Sequence, residues 1–428
     1  MSDWSRRRVR LAAVGVALAL SLAPPGASAQ DDTAPSRLPD PLSLASAMQI
    51  AREQRREVGV ASSAADAAAY RPSIVNVPED PMVMGRLIHL PLPDAMGADW
   101  SVMVQQMFPL SDVLGARART AEADARRLRH GVGTAELDVE LEAAMAFLDV
   151  YYARALAQLV DRQIALAAQL VAASEARYGA AMGSQTEVLR SETELARLRA
   201  ARLAVDGRIA GAEGMLAAAL AQESETAIPL LSPPADDPDL DPVRARALVS
   251  RALDARPELA ASREAIAQAR SQVDVMEQMY FPSAMIQIGG GSTMAGGPGL
   301  MGMLGISVPI FRDRLDSGVG EARSMVAMSE DELAAMQRMI EGQVASAVGA
   351  VRAARAQRDA MREEVVPRAG QAVDAALAQY GAAEVPQVTV VEAMRALFAI
   401  EIETLGAEIE AAMAEARLRR AVGREGER

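Results

Sequence analysis

Few groups in this chain could do chemistry. There are two histidines, no cysteine and no lysine, so every basic side chain is arginine. His89 lies in an apolar run from Met82 to Leu90, and His130 lies in a long charged stretch. Neither has a nucleophile or a second histidine at a catalytic or ligand spacing, and a lone histidine is more often structural or solvated. Lack of cysteine excludes disulfides, thiolate metal sites and a lipid-modified N-terminal cysteine. Gly289-Gly290-Gly291 is no phosphate loop, because no lysine follows and no helix opens there; the run reads as a strand end and loop. The 23 methionines remain. Met82, Met84, Met96, Met103, Met107, Met285, Met294, Met301 and Met303 lie in or beside two alternating stretches. Thioethers suit soft ions such as Cu(I). Met also serves as a flexible apolar filler, which is the preferred reading. No enzyme, cofactor or resident metal is expected.

The elements that carry these residues are long and repeated. Tyr178-Gly179-Ala180-Ala181 returns as Tyr380-Gly381-Ala382-Ala383, an offset of 202 residues. Gln185 returns as Gln387, and Phe108-Pro109-Leu110 as Val308-Pro309-Ile310. The chain is one unit of roughly 200 residues used twice. Aromatics make up 3% of the 428 residues, and Ala, Glu, Arg and Leu dominate, which fits long helices better than ordinary globular cores. A net charge of −13 argues against a nucleic-acid partner.

In chain order, Arg6 to Arg10, the apolar Leu11 to Leu22 and Ala27-Ser28-Ala29 form a secretory signal over 1–29. Ser5-Arg6-Arg7 also has twin-arginine character. No later run of 18 apolar residues could form a membrane-spanning helix. The first repeat is expected over 30–230. Its first helix spans about 42–70 and stops before Arg71-Pro72, its strands lie at about 73–108, and its helical hairpin spans about 114–222. Leu137, Leu141, Ala144, Leu148, Tyr151 and Ala155 have heptad spacing, so the first hairpin helix packs along a partner seam. Gly131 and Gly133 are read as a joint between two stacked helices. A Pro-rich linker at 231–242 leads to the second repeat, 243–422, with a new helix starting at Pro257. Its strands lie at about 282–310 and its hairpin at about 316–422; residues 423–428 are a tail. The tips between helices, 179–185 and 381–387, interrupt the helical pattern.

Strands of about ten residues that alternate apolar with small or polar side chains suit a water-filled barrel. Four strands cannot close one, and an open edge in lipid strands its amides. Several chains must therefore share a barrel, and three would give about twelve strands.

This order of elements resembles the outer-membrane efflux family typified by TolC. The resemblance spans nearly all of the mature chain. It is carried by Phe108-Pro109-Leu110, Arg177-Tyr178, Thr186-Glu187-Val188, Val308-Pro309-Ile310-Phe311 with Asp316-Ser317-Gly318, and Tyr380 with Val390-Val391-Glu392-Ala393. Asp80-Pro81-Met82 resembles its heavy-metal branch. The resemblance implies a mainly α protein with a small β part: a coiled-coil helical barrel beneath a β-barrel shared by three chains. The expected role is a passive conduit of a tripartite efflux or type I secretion system, in outer-membrane lipid and reaching into the periplasm. The implied partners are two further copies, a periplasmic adaptor and an inner-membrane pump; the cargo would be heavy-metal cations or drugs. A narrowed entrance would fall on Tyr380, Thr389 and Glu392. Thr389 departs from the acidic pattern, and Glu384 could supply charge instead. Gly179, Gly183, Ser184, Gln185, Gly381 and Gln387 would meet the adaptor. The competing reading is a poreless periplasmic coiled-coil scaffold. It explains the helices but not the Gly-rich alternation at 281–311.

Overall fold

The structure, a computed structural model, describes residues 38–89, 99–236, 241, 244–293 and 296–424. The expected signal segment, Met96 and Met294 lie outside them. The longest element is α4, Val113–Gly179, with 67 residues. At 1.5 Å per residue it is about 100 Å long. Its partner α5, Gln185–Ala219, returns antiparallel from the tip. Gly131 and Gly133 are no joint, for α4 runs through them unbroken. Gly133 instead marks a close crossing: a Cβ there would stand 3.2 Å from Pro257.

The expected first helix is divided. Helices α1 (Leu44–Gln54) and α2 (Arg56–Ala69) break at Arg55, whose backbone is extended. Ser43 caps α1 by accepting from the Ser46 amide. The helix does stop before Arg71-Pro72, with α2 ending at Ala69. A short α3, Arg71–Val75, follows, with Pro72 in its first turn, where its missing N–H is no loss. Residues 73–75 are therefore helix rather than strand.

The second half repeats the plan. It contains α6 (Ala245–Ala255), α7 (Pro257–Gln278), α8 (Arg312–Ala360), α9 (Val366–Gly381) and α10 (Gln387–Val422). Pro257 opens α7 as its spacing suggests. A π-turn at 361–365 joins α8 to α9, immediately before Pro367. Proline lacks the N–H and its ring crowds the carbonyl four residues back, so a bulge there lets the rod continue.

Matching strains show how deep the repetition goes. Ala181 and Ala383, 202 residues apart, both hold positive φ at the tips, 58° and 63°. Ala221 and Gly423 share that offset and that hand, 54° and 79°, beyond the ends of α5 and α10. Arg55 and Arg256 sit at the two extended helix breaks. The Arg55 guanidinium donates to the Ala219 carbonyl at 3.5 Å, and that of Arg256 to the Ala421 carbonyl at 3.0 Å. Both place a cation at a helix C-terminus, the end it stabilises. Arg55 also pairs with Glu57 and holds that exposed carboxyl down at about 2.

Three apolar clusters hold the rods, and two of them join the halves, the first through Leu405 and Ile409 and the third near the tips. Phe147, Leu148, Val150, Leu216 and Leu220 join Leu42 and Ala47 at mid-height. Ile340, Val344, Val351 and Leu418 join Leu248 and Leu259 on the second half. Near the tips, Leu170 and Leu198 of the first hairpin meet Val373, Val390, Val391 and Met394 of the second. Small residues, mainly Ala, let the rods approach closely. At the opposite end lies one antiparallel sheet, order β1-β2-β3-β4: Met82–His89, Asp99–Pro109, Ser283–Thr293 and Gly297–Ser307. No described helix is long and apolar enough to cross a membrane.

Candidate functional site

The sheet has two chemically distinct sides, because side chains alternate and the register runs unbroken from β2 to β4. One side carries Val83, Leu87, Trp100, Val102, Val104, Phe108, Ile286, Ile288, Leu300, Leu304 and Ile306. All are exposed, Leu300 to 92% and Leu304 to 81%. Such a continuous apolar face is costly in water and natural in lipid. The other side carries Ser101, Gln105, Gln287 and the strand methionines. Ser101 and Gln287 are buried there, which in a single sheet marks the concave side. The glycine run expected at a strand end lies inside β3 and is paired on both flanks. A Cβ at Gly289 would come 2.2 Å from the Val102 carbonyl oxygen, and one at Gly291 2.3 Å from that of Trp100. Glycine is there for close strand approach rather than for a loop. Among the described residues, strands β1 and β4 are paired on one flank only.

The hairpin tips are the second feature. Tyr380 is 2% exposed and lies between the hairpins. Its hydroxyl is 3.2 Å from Glu187 Oε2 and 3.5 Å from Ser174 Oγ. The Arg177 guanidinium lies over its ring, 4.6 Å from the centroid, and donates to the Tyr380 and Met182 carbonyls. Gln387, also 2% exposed, donates through Nε2 to Ser174 Oγ and to the Glu187 carbonyl, both at 2.8 Å. Tyr380 is therefore not a lumen-lining side chain of the protomer, and Gln387 is not an exposed docking residue. Each is consumed by the first hairpin. Sequence offsets cannot reveal this, because the partners lie 193 to 213 residues away. Arg177, Ser174 and Glu187 are the members that sequence reasoning did not assign to this site; the Arg177-Tyr178 pair was the available signal.

The other expected residues stand as follows. Glu384, Thr389 and Glu392 are exposed at or near the second tip. Thr389 and Glu392, three apart, share the face of α10 opposite buried Val390, Val391 and Met394. Gly179, Ser184, Gln185 and Gly381 are exposed, and a Cβ at Gly179 or Gly381 meets nothing within 4 Å. Gly183 is tighter, with Glu187 Oε2 and Arg177 Cβ at 3.2 and 3.3 Å from a built Cβ. Ser184 caps α5 by accepting from the Glu187 amide. Above the tip, Arg395 and Arg197 both bond Glu194. Burial pushes the Glu194 carboxyl up, but these two guanidinium groups prevail and hold it below its usual range. His130 is half-buried within α4, far from any helix joint. Among the described residues no three His, Asp or Glu groups cluster to hold a metal ion.

Residues 248–424 match the family model described as outer membrane efflux protein. The outer membrane efflux protein BepC of Brucella suis is 24% identical over 316 residues, covering 71% of this chain and 67% of that one. Among solved structures, CusC, described in connection with transmembrane channel formation, superposes with a TM-score of 0.76 at 16% identity, covering 89% of this chain and 92% of that one. The outer membrane protein VceC of Vibrio cholerae superposes at 0.71 and 15% identity, covering 89% and 96%.

Proposed function

We infer that this chain, a member of the outer membrane efflux protein family, is one third of a homotrimeric conduit that lets cargo pass from the periplasm to the exterior. It resides in the outer membrane, its sheet in the bilayer and its rods reaching into the periplasm. The observation that carries this reading is the two-faced sheet with two unpaired edges. An apolar side exposed to lipid needs its amides satisfied, and in hydrocarbon each unsatisfied one costs several kcal/mol. Pairing β4 of one copy with β1 of the next satisfies both edges. Three copies give about twelve strands, within the range of closed barrels.

The helices support the same closure. Within one chain the second hairpin seals its Tyr380 and Gln387 against the first. The first hairpin presents the matching Tyr178 and Gln185 to solvent, with Leu189 exposed where Val391 is buried. A neighbouring second hairpin would fill that vacant seam, and three such contacts close a tube of about twelve rods. Nothing in this arrangement breaks bonds; the chain conducts. A coiled-coil scaffold would leave the lipid-facing side of the sheet unexplained.

Adaptor and pump engage from below, through exposed Gly179, Ser184, Gln185 and Gly381. Glu384, Thr389 and Glu392 border the entrance, where threefold repetition would gather carboxylates and attract cations. The cargo falls within heavy-metal cations or drugs. Purified protein added to planar bilayers tests the conduit: stepwise conductance supports it, and a water-soluble, non-conducting species refutes it. Glu392→Arg then tests the entrance, with lower cation selectivity expected and unchanged selectivity removing Glu392 from the pore. Gly381→Trp should stop export while trimers persist; normal export would exclude docking there. Gly183 is the poorer probe, since a bulky side chain would disturb Glu187 and Arg177.

A further inference from the structure

Seven methionines lie in the described strand residues, and all seven are on the concave side. Following the pairing across the sheet gives three successive rows. Met84 faces Met103, which faces Gly289, which faces Met301. One row on, Met82, Gln105, Gln287 and Met303 are in line. The next holds Met107, Met285 and Gly305. The opposite side, made apolar for lipid, carries no methionine and uses Val, Leu, Ile, Phe and Trp. A lumen side is ordinarily polar. Methionine there is neither a lipid-facing residue nor a polar lining, so filler does not explain the partition.

The glycines in these rows shape the patch. A Cβ at Gly289 would stand 2.6 Å from Met103 Cγ, and one at Gly305 2.8 Å from Met285 Cε. Met103 and Met285 thus lie down over cleared strands, Met103 toward Met301. At the centre is a buried amide. Gln287, 6% exposed, donates from Nε2 to Gln105 Oε1 at 2.5 Å, with Met285 Sδ 3.8 Å away. Its Oε1 is buried without a donor. Such an orphaned acceptor is uncommon and costs about 1–3 kcal/mol. Beside it stand thioethers, which are themselves weak acceptors. The patch is thus rich in neutral electron-pair donors, with one left wanting an electropositive partner.

We propose that this face is a thioether ladder that takes soft monovalent cations, copper(I) or silver(I), on their way through the barrel. Thioether sulfur selects such ions over hard ones. Neutral ligands spread over several rows bind weakly and repeatedly, which is what conduction needs. The proposal rests on the conduit reading for which side faces the lumen, and it narrows the cargo.

Silver(I) is the probe, because it stays monovalent in air. Full-length trimer in detergent is dialysed against chloride-free silver nitrate, and bound silver is counted. Replacing all seven strand methionines by leucine, close to them in volume, should remove at least one silver per protomer. Replacing exposed Met325, Met328 and Met339 of α8 should remove none from the sheet's share. Silver X-ray absorption on the unaltered trimer adds a test that needs no variant: sulfur neighbours are expected. An unchanged isotherm in the seven-leucine protein, or only oxygen and nitrogen around silver, overturns the ladder. Bilayer conductance of the unaltered trimer separates the two readings, since its absence would refute the conduit whether or not silver binds.

Discussion

Tyr178 and Tyr380 occupy the same place in the two hairpin tips, as do Gln185 and Gln387. Yet Tyr178 is 51% exposed and Tyr380 2%. Both tips turn on an alanine of positive φ, and both follow with a long helix. Around that shared frame the fastenings differ. The first tip has Ser184 as a cap with Glu187 three residues on, a capping box in sequence. The second has Pro386 at its N-cap and no side-chain cap. It is fixed instead by what the first hairpin lends it: Arg177, Ser174 and Glu187. Repeated sequence therefore specifies the turn, while neighbours specify burial. A tip sealed on one flank and open on the other is suited to a ring.

The comparison can be broken most severely at the tyrosines. Tyr380→Ala should cost about 3–5 kcal/mol, as for a buried aromatic, and hydrogen exchange should show faster amides between 167 and 198. Tyr178→Ala should leave those amides protected and instead lower the temperature at which trimers dissociate. Identical exchange patterns would abolish the distinction.

Arg177→Ala comes next. It removes two hydrogen bonds from a charged donor and a ring contact, with an expected cost of about 1.5–3 kcal/mol. Gln379, its counterpart in the second tip, should tolerate alanine within about 0.5 kcal/mol. Denaturant midpoints of the two variants decide the matter, and equal losses would count against the asymmetry.

Acid sharpens the same boundary. Glu194 is held below its usual range in the folded state, so its contribution is present above the unfolded value of about 4.3 and fades as pH falls through the folded one. Contact between the hairpins should loosen below about pH 4, and Glu194→Gln should flatten that response in tip hydrogen exchange. An unchanged acid profile in the variant would exclude this carboxylate.

The smallest effect is also the one on which the tips should agree. Ala181→Gly and Ala383→Gly each relieve a left-handed alanine, about 1–2 kcal/mol, and lose part of this to the freer unfolded chain. Thermal midpoints should rise slightly and equally. A gain at one tip alone would mean that the turns are not equivalent.

Much of this was legible in the sequence. Period-two alternation exposed the two sides of the sheet, and heptad spacing the rods, because both patterns report which side of an element is covered. The 202-residue offset located the tips to the residue. What stayed hidden depends on contacts between distant segments. Gly289 to Gly291 look like a loop until Val102 and Trp100 are brought against them. Gly133 looks like a joint until Pro257 crosses it. Tyr380 and Gln387 look like surface residues until the first hairpin covers them. The break at Arg55 had no strong local signal, whereas Pro367 is itself the local signal for the bulge before it.

The central claim is that a single chain holds a third of a hole. Native mass measurement of the detergent-solubilised species, made on the same sample that is then inserted into a planar bilayer, tests this most directly. The expected result is three chains per particle and one conductance step per particle inserted. A single-chain particle that conducts, or one that stays in water without detergent, would contradict it.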